Sequence, residues 1–148
     1  MRQLCKFCGK NEGYSNTIIH NISIDGQVFS GMLTADLCNA CHTTTPNADH
    51  LAAFELSVAY LCVKLNLVSP KAFKFMREAI NTSVNTMAGY TGVTAETIQK
   101  WENGSVQFGP GAFAVLRIYV KAEFNRQNIY VWANNQPNCE VHCSPKLK

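Results

Sequence analysis

The sequence predicts an α+β protein: a small N-terminal β-hairpin module held by cysteines, then an all-α domain. Three observations predict it. Two Cys-x-x-Cys pairs, Cys5–Cys8 and Cys38–Cys41, flank a stretch with a two-residue turn signal at Asp25-Gly26. After the breaker cluster Thr45-Pro46-Asn47, apolar residues switch to helical spacing. From Ser69 onward, capping hydroxyls and glycines punctuate the chain at short-helix intervals.

The elements follow in order. Thr17 to Ile24 alternates partly and reads as a strand; Asp25-Gly26 turns the chain, and Gln27 to Leu37 runs back. A lone hairpin buries too little apolar surface to stand unaided, so something must staple it. Leu51, Phe54, Val58, Leu61, Cys62 and Leu65 then form one stripe of a helix over 48–66, capped by Asn47. That stripe is first a packing face and second a candidate partner face. Ser69-Pro70 starts a helix over 70–80, with Phe73, Met76, Ala79 and Ile80 as its buried side. Ser83 caps 84–91, Thr94 caps 95–102, and Pro110 opens 110–124, with Gly92, Gly104 and Gly109 at the boundaries. Ile129 to Trp132 reads as a short extended segment, and the tail from Asn134 as loosely ordered. The expected organisation is a cysteine module over 1–46, a linking helix over 47–68, a helical domain over 69–126 and a strand or tail over 127–148.

Composition narrows the class. The chain has 148 residues, 47% apolar and 16% charged, and a mean hydropathy of −0.08. That is a folded chain, and no run of about 18 uncharged apolar residues suits a membrane span. Met1 to Lys6 offers no apolar core for a signal peptide, so a cytoplasmic protein with reduced thiols is expected. The formal net charge of +3 is uneven: residues 69–126 hold seven Lys or Arg against four Asp or Glu. The surplus hints at a polyanionic partner for the second half.

Seven cysteines in a reduced chain call for a metal rather than disulfides. Each Cys-x-x-Cys turn can aim two thiolates at one point. Two turns joined by a hairpin complete a tetrahedron, the pattern of a zinc-ribbon-like structural site for one Zn²⁺ per chain on Cys5, Cys8, Cys38 and Cys41. The ion's binding energy then becomes folding energy for a module with little core. Four thiolates leave no open position, so the site is structural. The string Cys38 to His42 also matches a c-type haem attachment sequence, thiol redox chemistry would need a different strand–helix setting, and spacing alone leaves a four-thiolate iron–sulfur cluster open. Cys62 falls on the helix stripe as a core thiol, whereas Cys139, His142 and Cys143 form a tail cluster of open use.

Residues 82–104 carry the second constellation. Ala88 permits close helix approach, Gly92 supplies a turn of positive φ, Val93 and Ile98 plug the space between helices, Trp101 seats the second helix and Gly104 releases the chain. These offsets describe a DNA-binding helix-turn-helix. The residues Gly92-Val93-Thr94, Thr97-Ile98 and Trp101-Glu102-Asn103-Gly104 closely resemble the Xre (Cro-type) repressor family. Together with the paired cysteines, residues 1–124 look like the MqsA family of type II antitoxins.

The resemblance implies a zinc module that binds and blocks a cognate toxin, and a C-terminal domain that dimerises on palindromic operator DNA as a repressor. By position, the helix starting at Thr94 and Ala95 would enter the major groove. Glu96, Thr97 and Lys100 match base-edge or phosphate-facing positions, and Thr94 and Asn103 can bond phosphates. Val84 departs from the usual Gln of the first helix. With Lys100 the lone cation on the reading helix, Lys71, Lys74, Arg77, Arg117 or Lys121 are the candidates for phosphate neutralisation. The alternative is a phage or mobile-element regulator whose zinc module is only a scaffold. No Ser-His-Asp, paired-carboxylate or phosphate-loop constellation suggests an enzyme.

Overall fold

A computed structural model describes residues 4–127 in full and the backbone of residues 142–145. Strand β1 (Gly13–Ile24) pairs antiparallel with β2 (Gln27–Cys38) over twelve consecutive residue pairs. Asp25 and Gly26 both take positive φ, 53° and 80°, as the two-residue turn demands. The far edge of β2 carries β3 (Thr44–Pro46) at one end and β4 (His142–Pro145) at the other. Residues 127–148 were expected as a strand or tail, loosely ordered from Asn134; within that stretch β4 pairs with the edge of Gln27–Ser30. The extended segment expected at Ile129–Trp132, and Cys139, lie outside the described residues.

Five helices follow: α1 (Ala48–Lys64), α2 (Pro70–Ala79), α3 (Val84–Thr91), α4 (Ala95–Glu102) and α5 (Ala112–Arg126). The first four start where their capping side chains dictate. Asn47 accepts from the His50 N–H, Ser69 from Ala72, Ser83 from Thr86 and Thr94 from Thr97; each such cap contributes about 1 kcal/mol. The fifth starts two residues later than Pro110 suggested. Gly111 sits at φ 82°, so the helical path begins only at Ala112.

Helix α1 departs from its expected single stripe. Phe54, Val58 and Cys62 are buried as foreseen, but so are Leu56, Ala59 and Val63 on other faces, while Leu65 is exposed. It lies in the middle, against β2 on one side and α2 and α5 on others. Gly31 makes room on the sheet: a Cβ there would stand 2.5 Å from the Phe54 ring. His20, the cross-strand partner of Gly31, meets the same ring edge-on at 5.5 Å. Ile24, Phe29 and Leu33 of the hairpin, Phe54 and Val58 of α1, and Phe73, Met76, Met87, Ile98, Leu116 and Val120 of the later helices form one continuous buried cluster. Among the described residues no helix is long and apolar enough to cross a membrane.

Candidate metal centre and nucleic-acid interface

The two cysteine turns have the same construction. In the first, the Gly9 N–H donates to the Cys5 carbonyl at 2.9 Å, and the Cys5 N–H donates to the Lys10 carbonyl at 3.0 Å. In the second, His42 donates to Cys38 at 3.0 Å, and Cys38 to Thr43 at 3.1 Å. The residue after each second cysteine takes positive φ, Gly9 at 72° and His42 at 59°. His42 therefore closes a turn and is exposed. The hairpin brings the turns together: all four Sγ atoms lie within 4.8 Å of one another, with Cys5–Cys41 at 3.6 Å and Cys8–Cys38 at 3.7 Å.

The thiols do not titrate alike. The Cys5 thiol is pulled down to about 6 by the backbone N–H groups of Cys8 and Phe7, with help from Cys41 and Thr43. Cys41 is lowered too, chiefly by the Thr43 hydroxyl, 3.0 Å from its sulfur, and the Thr43 backbone. At Cys8 the Lys10 backbone favours the thiolate, but lost hydration and the crowding of Cys38, Cys5 and Cys41 outweigh it and hold the thiol up at about 11. Four sulfurs this close cannot all carry charge unless a cation sits among them. A tetrahedron with metal–sulfur bonds of about 2.3 Å has edges of about 3.8 Å, close to the separations found. The cluster could hold a metal ion.

The second constellation centres on α3, the turn Gly92–Thr94 and α4. Gly92 takes φ 73° and ends α3. Ala88 and Ile98 are buried and Val93 packs against the same core. Trp101 is buried, with Phe73 at 5.9 Å and Phe108 at 5.7 Å between ring centres. Thr94, Glu96, Lys100 and Asn103 are exposed, Thr97 is half-buried, and Glu96 and Lys100 form an ion pair at 3.0 Å. The Thr94 and Thr97 hydroxyls are 2.9 Å apart, so both are engaged in the cap. Asn103 sits at the other end of α4 and accepts from the Ser105 N–H. Ala95 is half-buried and packs on the core, so its methyl serves packing as much as any outer contact.

Among the basic residues singled out from the sequence, Lys71, Lys74 and Lys121 are exposed. Arg77 is not: it is buried and bonded to Glu102 and to the Thr82 carbonyl, which removes it from any phosphate-facing role. A helical period cannot reveal that partner, since Glu102 lies 25 residues away. Arg117 bonds Asn66 and lies over the Phe113 ring at 5.7 Å. The side chains of Cys139, His142 and Cys143 lie outside the described residues. No protein-family model matches this chain, and no curated protein does.

Proposed function

We propose that the protein is an antitoxin-like transcriptional repressor. In this reading a dimer binds palindromic operator DNA through α3 and α4, one structural Zn²⁺ per chain staples the hairpin, and the zinc module docks a cognate toxin. The protein is not an enzyme. The observation that carries the DNA-binding half is the outer face of α4. Glu96 and Lys100 project from a short helix whose inner face, Ile98 and Trp101, is locked into the core. A rigid helix with a polar outer face can read base edges, Lys100 donating to guanine or a phosphate and Glu96 accepting from cytosine. Exposed Lys71, Lys74 and Lys121 supply further charge.

Zinc is favoured by the donor set, four thiolates spaced for one ion. Bound there, Zn²⁺ would supply four bonds and no open position; Cys5, Cys8, Cys38 and Cys41 would hold it. Beside the cage, Leu4 and Phe7 are 68% and 66% exposed, an apolar pair suited to a protein partner. The test is a gel shift with the duplex upstream of the protein's own coding region, at several salt concentrations. Tight binding that weakens steeply with salt supports the reading. Absent binding there, and to a randomised duplex pool, would reject it.

A further inference from the structure

We infer that the outer edge of β1 is a self-association surface, where a second copy of this chain adds its own β1 antiparallel to form one continuous sheet. The inference concerns the hairpin alone and does not depend on DNA binding. Sheet edges are ordinarily blunted by charged side chains, proline, bulges or short length. β1 uses none of these devices. Its sequence, Gly13–Ile24, contains no Asp, Glu, Lys, Arg or Pro, and its twelve-pair register with β2 runs without interruption. At roughly 3.4 Å per residue it presents an edge about 40 Å long.

The opposite edge of the hairpin is covered. β4 pairs at Gln27–Ser30 and β3 at Ala35–Leu37. Between them, the Thr34 carbonyl accepts from the Asn47 N–H at 2.8 Å, and the Thr34 N–H donates to His50 Nδ1 at 3.4 Å. These bonds also fix the parity. Thr34 turns its backbone away from β1, so its partner Thr17 turns away from β2, and with it Ser15, Ile19, Asn21 and Ser23. Among the described residues Asn16, whose side chain accepts from the Thr17 N–H, is the one seen to engage a backbone group of this outward row. The Ser15 and Asn21 side chains bond Asp36 and Ser30 of β2.

The row is self-complementary about Ile19. With Ile19 opposite its own copy, Thr17 faces Asn21 and Ser15 faces Ser23 across a two-fold axis. Every pair is uncharged, and about eight backbone hydrogen bonds can form with the Thr17 N–H groups still held by Asn16, or about ten if Asn16 releases them. Ile19 is 69% exposed beside its cross-strand partner Met32, 37% exposed. Pairing would join the two Ile19–Met32 couples into one apolar strip. The axis stands perpendicular to the sheet, so α1 and everything packed on it would lie on the same side in both copies.

The test uses the full metal-loaded chain, with light scattering for mass and amide hydrogen exchange for the edge. Expected are two chains per particle and slow exchange at Ser15, Ile19, Asn21 and Ser23. Ile19→Lys places like charges on the axis. It should reduce the particle to one chain and speed those four amides by more than about tenfold. The amides of Ile18, Ile22 and Ile24, bonded within the hairpin, should stay slow and the metal content unchanged, which shows the hairpin intact. The register has its own check: Ser15→Lys with Ser23→Lys should split the pair, whereas Ser15→Lys with Ser23→Glu should keep it. A wild-type monomer overturns the inference, whether its β1 amides are fast (a bare edge) or slow (an edge covered by its own chain). A dimer with fast β1 amides, or one indifferent to both charge variants, overturns it too.

Discussion

Arg77 of α2 holds Glu102 of α4 by two parallel contacts, Nε to Oε1 at 2.5 Å and Nη2 to Oε2 at 3.1 Å, while its Nη1 bonds the Thr82 carbonyl at 2.9 Å. Both side chains are less than a tenth exposed. One guanidinium thus ties together the end of α2, the turn before α3 and the last turn of α4. Fork-to-fork pairs of this kind fix orientation as well as proximity.

Removing one partner strands the other in the core. Glu102→Ala should cost up to about 3–5 kcal/mol in urea unfolding, because it leaves the buried guanidinium with only the Thr82 carbonyl and the exposed Glu78 carboxylate, 3.7 Å away, as partners. Exchanging both residues for apolar ones of similar volume should cost much less. Equal costs would mean that the pair is not buried as described.

Gly31 and Phe54 make a steric prediction. Gly31→Val forces a branched side chain into the Phe54 ring, where a Cβ already falls 2.5 Å away. A loss of about 1–3 kcal/mol is expected. Phe54→Leu in the same chain should recover part of it, which a double-mutant cycle would read as coupling.

Metal analysis should return one ion per chain. Serine at Cys5, Cys8, Cys38 or Cys41 should abolish it, and Cys62→Ser should not, since Cys62 is buried in the helical core away from the cage. Chelation should lower the melting temperature, and added Zn²⁺ should restore it. Retention of the ion by Cys8→Ser would remove the four-thiolate assignment.

On the outer face of α4, Lys100→Ala should weaken operator binding by about 1–3 kcal/mol and make the salt dependence shallower by about one ion. Glu96→Gln should steepen the salt dependence but relax the preference for cytosine at its position. It frees Lys100 from a surface pair of little intrinsic stability and removes a negative charge from the face proposed to meet DNA. Identical gel-shift titrations for both variants would place the reading surface elsewhere.

Local signals were the legible ones. Asn47, Ser69, Ser83 and Thr94 each act on an N–H three residues away, so the starts of α1 to α4 could be read directly, as could the Asp25-Gly26 turn. The four cysteines were legible by spacing, and the structure gathers them as expected. What escaped depends on distant partners. β3 and β4 are three and four residues long and exist only because β2 offers an edge. Arg77 looked like one more surface cation until Glu102 came beside it. The face of α1 bearing Leu56 was hidden because a helix buried on several sides has no single stripe to find.

That burial has a consequence for control. Among the described residues, a hairpin, a central helix and four further helices share one apolar cluster, so swinging one half against the other would have to open that cluster. If α4 grips DNA as proposed, that grip would not be relaxed by bending. It would be relaxed instead by occupying a surface, by separating copies, or by taking the fold apart; if the four thiols hold a metal ion, removing that ion would loosen one end of the fold.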